Sequence, residues 1–325
     1  MNQTLQQLKA KVGVHFAYPM AMDAQASMIT TSNAGIPAML SNYVSPETIK
    51  VLIAPMKAAI IMGEKQTGDW TTTTATFPMI ELTGEVSSYG DFNNNGSTGA
   101  NVNFPQRQSY HYQTTSRWGE MQLETFSLAN IDYVTQVNNA SVMALNKFQN
   151  RSYFFGIAGL QNYGLLNDPA LSAPITPTAA WSLDTTTGDM VYADVVKMFK
   201  KLVVQSGGIV DMDAKMVLVM SPTTAVAMTK TNQYLVNVKD LLAKNFSNLR
   251  FETAVEYSNP TGAGELVQLI VEEVEGQKTV TAAFTEKLRA HRVVAGESSW
   301  TQKKSQGTFG AVVFTPFAIS QMLGV

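Results

Sequence analysis

The chain has 325 residues and a formal net charge of −2, with 23 basic and 25 acidic side chains. That length is enough for a sizeable core, and the near-neutral charge excludes the basic balance typical of duplex-binding domains. Cysteine is absent, which excludes disulfides, zinc–thiolate sites and thiol nucleophiles. The polar start, Met1 to Lys11, has no signal-peptide core, and no run reaches 18 apolar residues, so we expect neither export nor a membrane span.

Charged residues make up only 15% of the chain, against about 25% in typical soluble domains. Two interpretations fit this composition. Much of the surface is buried against partners, since interface cores are depleted in charge, or the exterior is neutral and rich in Thr, Asn, Ser and Gln. Composition alone leaves both open.

The first 63 residues predict an arm and a connector. Residues 1–45 contain scattered glycines and prolines and no sustained periodicity, which is typical of a segment that is disordered or wrapped over a neighbour. A short helix is predicted after Pro46, within a connector that ends at residue 63.

Residues 64–120 predict a long hairpin. Between Gln66 and Ser116 there are ten threonines, which favour extended backbone, and one cation, Arg107. Two runs that alternate with period two, 71–77 and 110–114, flank the turn-forming residues 94–96. We interpret them as two irregular strands that meet at a tip there. An isolated two-stranded ribbon is marginal in water, which suggests that it lies on a neighbouring subunit.

Residues 127–155 predict one long helix of about 42 Å, at about 1.5 Å per residue. At 100° per residue the polar and apolar side chains separate onto two sides. The predicted polar side carries Asp132, Gln136, Asn139, Asn146, Lys147 and Asn150, and the predicted apolar side carries Ile131, Val134, Val137, Val142, Leu145 and Phe148. Residues 156–169, rich in Gly and ending in Asn-Asp-Pro, then end the helix and begin a loop that marks a domain boundary.

Residues 189–290 predict a mixed α and β domain. Its elements are a helix capped by Asp189 and stopped at Gly207-Gly208, a buried strand at 216–220, a helix start at Ser221-Pro222, a helix at 238–244, a strand at 250–255, and a hairpin of 266–274 with 279–284 around Glu275-Gly276. A further strand is predicted at 311–314, and the apolar end up to Val325 is expected to be packed.

No constellation of catalytic or ligand-binding residues is evident. His15, His111 and His291 have no second His or carboxylate at ligand spacing, and the phosphate-loop, dinucleotide and nucleophile-elbow motifs are absent. The pair Asp211 and Asp213 is better explained by a solvated loop than by a cation site. We therefore expect no cofactor, no metal and no enzymatic activity.

The order of elements resembles the Hong Kong 97-type capsid fold, an α+β fold. The stretches 68–70 (Gly-Asp-Trp), 110–114 (Tyr-His-Tyr-Gln-Thr) and 159–169 (Gly-Leu-Gln-Asn-Tyr-Gly-Leu-Leu-Asn-Asp-Pro) are similar to those of a family of tailed-phage and prophage major capsid proteins. This resemblance covers most of the chain from about Gly35. It implies an N-terminal arm (1–45), a short helical connector (46–63), an extended loop (64–120), a peripheral domain with a spine helix (121–188), an axial domain (189–290) and a C-terminal return to the peripheral domain (291–325).

The resemblance further implies a shell of pentamers and hexamers in the virion, assembled in the host cytoplasm. The shell would enclose double-stranded DNA without sequence-specific binding, with portal and scaffolding proteins and a decoration protein as partners. No long helical segment precedes residue 35, so scaffolding is expected from a separate protein. No Lys–Asn crosslink can be matched, although Lys65 lies near the loop base.

In this family the extended loop lies across the adjacent subunit. The contact residues that we predict are aromatic and arginine side chains of the loop: Trp70, Tyr89, Phe92, Arg107, Tyr110, Tyr112, Arg117 and Trp118. Three alternatives remain at this point. They are an encapsulin-like nanocompartment that holds protein cargo, an enzyme with an extended lid, and a phage tail or adhesin component.

Overall fold

A computed structural model describes residues 55–128, 131–258, 260, 262 and 264–325. The predicted arm (1–45) and the helix predicted after Pro46 lie outside these residues. Nearly all described residues belong to one unit, Val51–Ser127 with Asp132–Val325. The other unit, Met1–Lys50 with Leu128–Ile131, is described only at Leu128 and Ile131.

The elements up to the middle of the chain are α1 (Ala58–Met62), β1 (Glu64–Gln66), β2 (Thr74–Thr76), β3 (Met79–Glu85), β4 (Ser97–Asn103), β5 (Gln106–Gln108), β6 (Tyr110–Gly119), α2 (Glu120–Leu128) and α3 (Tyr133–Phe155). They are followed by α4 (Gly188–Gln205), β7 (Met216–Met220), α5 (Pro222–Ala225), α6 (Val238–Asn245), β8 (Leu249–Thr253), β9 (Leu266–Val271), β10 (Glu273–Val274), β11 (Gln277–Lys278), β12 (Val280–Ala295), β13 (Ser299–Val313) and β14 (Ile319–Leu323). Short 3₁₀ turns occupy Val226–Thr229, Val255–Tyr257 and Pro316–Ala318.

Two four-stranded sheets organise the described unit. The long sheet has the order β1-β12-β13-β6, and the short sheet has the order β14-β9-β7-β8. Between them lies a core to which the long sheet contributes Ala282 and Ala311, and the short sheet contributes Val217 and Ile319. Within the described residues, no helix is both long and apolar enough to cross a lipid bilayer.

The strands β12 and β13 are much longer than the sequence predicts. The predictions covered only 279–284 and 311–314, whereas the observed strands have 16 and 15 residues and pair from Val280↔Val313 to Ala295↔Trp300. Their outer parts carry many charges and lack a clean alternation, so the sequence has no strand signal there. Ladder hydrogen bonds to β6, which pairs with β13 along its whole length, hold the outer part of β13 extended.

The helix α3 begins later than predicted and buries a different face. Asp132 caps the start of this helix, because its carboxylate accepts the backbone N–H of Thr135 at 3.1 Å, and the helix runs from Tyr133 to Phe155. At about 1.5 Å per residue, 23 residues give about 35 Å instead of 42 Å. Asn150, assigned to the polar side, is buried, and Phe148, assigned to the apolar side, is exposed.

The buried side of α3 meets polar groups: Asn150 accepts the backbone N–H of Ala58 and donates to Glu256, and other positions face the long sheet. Alternate residues of β13 present polar side chains to α3, which we call the polar row: Lys304, Gln306 and Thr308. The Lys304 Nζ donates to Asn138 Oδ1 at 2.8 Å and to Ser141 Oγ at 2.7 Å. Gln306 donates to Asn146, and Ser152 donates to Thr308. A helix face that meets polar partners is itself polar, so a rule that assigns apolar residues to the buried side fails.

The short sheet and α4 follow the sequence closely. The buried strand 216–220, the α5 start at Ser221-Pro222, whose Ser221 side chain accepts the N–H of Thr224, and the helix near 238–244 are all confirmed. The predicted cap Asp189 lies instead in the first turn of α4, after the N-cap residue Thr187. The apolar chain end is packed, as expected, because β14 pairs with β9.

The hairpin predicted around Glu275-Gly276 is confirmed only at its turn. Val274 pairs with Gln277 across these two residues, and both have positive φ, as a two-residue hairpin turn requires. The flanking strands do not pair, because β9 joins the short sheet and β12 joins the long sheet. The predicted limit between residues 290 and 291 falls inside β12, and β14 returns to the short sheet instead of the long one.

The α4 side of the short-sheet core depends on one buried carboxylate. Asp194 accepts hydrogen bonds from the Thr178 backbone N–H at 3.0 Å, the Thr178 hydroxyl at 2.6 Å and the Trp181 Nε1 at 3.0 Å. Asp194→Ala leaves these buried donors without an acceptor. We expect it to lower the free energy of unfolding by about 2–4 kcal/mol in chemical denaturation. Asp189→Ala, an exposed acid of the same helix, is the control and should cost less than about 1 kcal/mol; equal effects would contradict this role.

Candidate subunit interface

The strands of the predicted loop pair in a different way from the prediction. The runs 71–77 and 110–114 do not meet each other, because β2 pairs with β5 and β6 pairs with β13. The projecting element is the β3–β4 hairpin, which is paired from Met79↔Asn103 to Glu85↔Ser97. The predicted turn residues 94–96 close the loop of 86–96, so the tip lies where the sequence placed it.

The β3–β4 hairpin is uncovered by the rest of the described chain. All seven residues of β4 are exposed, and in β3 so are the side chains of Ile80 and Leu82. At the tip, Tyr89 is 94% exposed and Phe92 is fully exposed. A two-stranded ribbon with large apolar side chains in solvent is marginal by itself, and exposed apolar groups of this extent are typical of a protein–protein interface.

The base of the hairpin is attached firmly, through the segment 159–169 that the sequence singled out. The backbone N–H of Gln108 in β5 donates to the Gln161 carbonyl at 2.9 Å, and the Asn162 side chain donates to the Gln108 carbonyl at 3.0 Å. The Arg107 guanidinium pairs with Asp168 at 2.7 Å and lies over the Tyr163 ring at 4.7 Å. The hairpin is therefore exposed along its length and fixed at its origin.

Of the eight contact residues predicted, five retain exposed surface. Tyr89 and Phe92 occupy the tip, Arg117 is exposed on β6, and Trp70 and Tyr110 are partly exposed. Trp70 lies against His111, with ring centroids 4.6 Å apart, and Arg289 lies 5.3 Å from its ring.

The other three predicted contact residues find partners inside the subunit, and their contact with a neighbouring subunit stays a prediction. Arg107 is held by Asp168, and Trp118 is buried in the long sheet. Tyr112 is buried between β6 and α3, where its hydroxyl donates to Gln306 Oε1 at 2.7 Å. Burial, with a smaller contribution from the charge of Glu64, raises the pKa of Tyr112 well above its ordinary value.

Two groups of exposed residues were not predicted from the sequence. The first is the apolar part of the hairpin: Ile80, Leu82, Val102 and Phe104. Their alternation with polar residues was a usable signal for the strands, but not for their exposure. The second is the outer part of the β12–β13 pair, residues 286–303, which we call the blade. It exposes Leu288, Val293 and Val294 among several cations, and its sequence has no strand periodicity.

The long sheet buries one lysine side chain, Lys304 of the polar row. This burial lowers the pKa of Lys304 from the ordinary lysine value.

Within the residues described, no three His, Asp or Glu side chains lie close enough to hold a metal ion. The described residues instead present exposed surfaces suited to contact with other protein chains, and the candidate site is the β3–β4 hairpin.

Comparisons with known proteins agree on one architecture. A family model described as the Pa193 gp26 major capsid protein matches residues 27–324. The capsid of Myoviridae phage XM1 has a TM-score of 0.74 at 18% identity, covering 89% of this chain and 99% of that one. The capsid of the native GTA particle has a TM-score of 0.62 at 12% identity, covering 91% and 99%. A virus-like particle from Pyrococcus furiosus has a TM-score of 0.52 at 9% identity, covering 83% and 92%.

These structural matches confirm the predicted α+β fold of the Hong Kong 97 type. At such low sequence identity these matches are evidence for the fold alone. No curated protein sequence matches the chain.

The ion pair at the hairpin base gives a test of its attachment. Asp168 is almost fully buried, so Arg107→Ala leaves a buried charge without its partner. We expect a loss of about 3–5 kcal/mol in the free energy of unfolding, measured by denaturant titration. Arg117→Ala removes an exposed arginine of β6, the next strand along the chain, and should change the free energy of unfolding by less than about 0.5 kcal/mol. A small effect of Arg107→Ala would show that the pair does not anchor the hairpin.

Proposed function

The chain belongs to the family of the Pa193 gp26 major capsid protein, and from this premise we propose how it builds its shell. It is a major capsid protein, a structural subunit of the icosahedral virion capsid, as the sequence resemblance predicted. Self-assembly follows from membership of this family. The proposal concerns the contacts between copies, the arrangement of the parts and the contents of the shell.

We propose that the β3–β4 hairpin lies on an adjacent copy of the chain and joins the subunits of the shell. The single observation that carries this proposal is the hairpin itself, which exposes apolar side chains on both strands and at its tip. Burying such side chains is worth about 1.5–3 kcal/mol each. A shell that buries many hairpins in this way gains stability that the free subunit lacks. Tyr89 and Phe92 are the anchors of this contact.

We assign the peripheral and axial domains of the subunit according to its two sheets. The long sheet with α3 forms the peripheral domain, and the short sheet with α4 forms the axial domain that faces the centres of pentamers and hexamers. Because β12 crosses the limit expected at residue 290 and β14 pairs within the short sheet, we assign the axial domain to residues 189–279 together with β14. The arm (1–45) and connector (46–63) keep the roles that the sequence resemblance implies.

The shell encloses double-stranded DNA in this proposal, and portal, scaffolding and decoration proteins are its other partners. A net charge of −2 and the lack of a basic arm support enclosure without sequence-specific binding. Particles purified from cells test this part: nuclease-protected double-stranded DNA supports it. A protein cargo without DNA would favour the encapsulin-like alternative.

The hairpin tip provides the sharpest test of the proposed contact. Replacing residues 86–96 by Asn-Gly keeps the paired strands, since this dipeptide closes two-residue hairpins, but removes Tyr89 and Phe92. We expect a folded subunit with an unchanged melting temperature and a loss of particles in sedimentation and electron microscopy. The double variant Ser88→Ala with Asn94→Ala, in the same loop, is the control and should assemble normally. Normal shells from the shortened chain would overturn the proposed contact.

A further inference from the structure

The blade is a basic surface on the long sheet. Beyond Phe284 the edge of β12 has no partner from β1, because β1 pairs only with Ala282–Phe284. The exposed cations of the blade are Lys287, Arg289, Arg292 and Lys303, and its acids are Glu286, which lies 3.6 Å from Arg289, and Glu297 in the turn. Lys287 is paired with Glu64 and Arg289 with Glu286, so within the described part of the chain the blade cations that form no ion pair are Arg292 and Lys303.

One face of the blade has an open concavity of about 640 Å³. It is lined by Thr115, His291, Arg292, Val294, Thr301 and Lys303. Adjacent strand residues point to opposite faces, and Lys304 is bonded to α3, so Lys303 and the concavity lie on the face away from that helix. Two cations, Arg292 and Lys303, thus line the concavity together with the apolar side chain of Val294.

The hairpin has the opposite character. Residues 77–106 contain three acids, Glu81, Glu85 and Asp91, and no Lys, Arg or His. At the tip the Tyr89 hydroxyl donates to Asp91 Oδ1 at 3.0 Å, and the exposed Phe92 follows Asp91 in the chain. A tip with one carboxylate and two exposed rings is complementary in charge to a surface that carries two cations.

We propose that the hairpin tip of one subunit seats in the blade concavity of a second copy, with Asp91 facing Arg292 and Lys303. The inference rests on the proposed function, since it names the surface that receives the hairpin. The occupant comes from another copy because, within its own subunit, every residue of β4 is exposed and so does not lie on the blade. Opposite charge sets the register and orientation of such a contact, and like charge excludes the alternatives.

Crosslinking between two distinguishable chains tests this placement directly. The chain has no cysteine, so each introduced thiol is unique. One chain carries Asn94→Cys, which leaves both tip rings intact, and the other carries Val294→Cys in the concavity. Co-assembled particles are treated with a short bismaleimide and separated by denaturing electrophoresis. The control pairs Asn94→Cys with Val226→Cys, an exposed position in the axial domain.

We expect a covalent dimer, at twice 35.4 kDa, for the 94–294 pair at about tenfold or more the yield of the control, since docking raises the local thiol concentration. Particles without this excess would overturn the inference and leave the proposed function standing. If the unmodified chain forms no particles at all, this result would contradict both the proposed function and the inference.

Charge reversal adds an independent readout. Asp91→Lys places like charges together and should lower the assembled fraction about tenfold, whereas Asp91→Lys combined with Arg292→Glu and Lys303→Glu should restore most of it. Asp184→Lys, a reversal of an exposed acid away from the hairpin, is the matched control and should assemble normally. Failure of the combined variant to recover, with all subunits folded by circular dichroism, would count against the pairing of these charges.

Discussion

The antiparallel pairing of β12 with β13 is the interaction on which the other elements of the described unit depend. Its inner part supplies Ala282 and Ala311 to the core between the two sheets. Its outer part extends beyond that core as the blade. A glycine makes the junction with the segment 159–169 close: Gly310 has φ +76°, and a Cβ there would lie 2.2 Å from the Tyr163 carbonyl oxygen. That carbonyl accepts the N–H of Ala311 at 2.9 Å, so the hairpin base and the long sheet are joined by backbone.

The contact between α3 and the long sheet combines ring packing of Tyr112 on Phe148 with a row of polar contacts. Lys304, Gln306 and Thr308 each find a partner on the helix, and the acceptors of the buried Lys304 within the described residues are neutral. Hydrogen bonds of this kind add little net stability when satisfied, but a group left unsatisfied costs about 1–3 kcal/mol. The position of α3 is therefore set by matching of partners, because a shift of one residue would break several bonds together.

The sparse charge of the chain is distributed unevenly. The hairpin has acids and no bases, and the blade has an excess of bases, while many exposed positions between them are neutral or apolar. Composition left open whether the low charge reflected buried interfaces or a neutral exterior. The exposed apolar side chains of the hairpin and blade favour the first interpretation.

A feature could be predicted when the local sequence determines it. The helix start at Ser221-Pro222, the Glu275-Gly276 turn and the buried strand at 216–220 depend on local chemistry, so the sequence determined them. The order of elements and the signature at 159–169 were enough for the family and the fold. Of the candidate site, the location of the tip was also predicted from sequence, and Tyr89 and Phe92, two of the predicted contact residues, lie there.

Only the tertiary structure decided which strands pair and which faces are covered. A period of two indicates two faces of a strand but not its neighbour, so the runs 71–77 and 110–114 were matched to each other when β6 in fact pairs with β13. Burial of Arg107 and Tyr112 depends on Asp168 and Gln306, which lie about 60 and 190 residues away in the chain. A hairpin tip at residues 94–96 was evident from the sequence alone, but the strands that form the hairpin and its uncovered faces became visible only when distant segments were brought together.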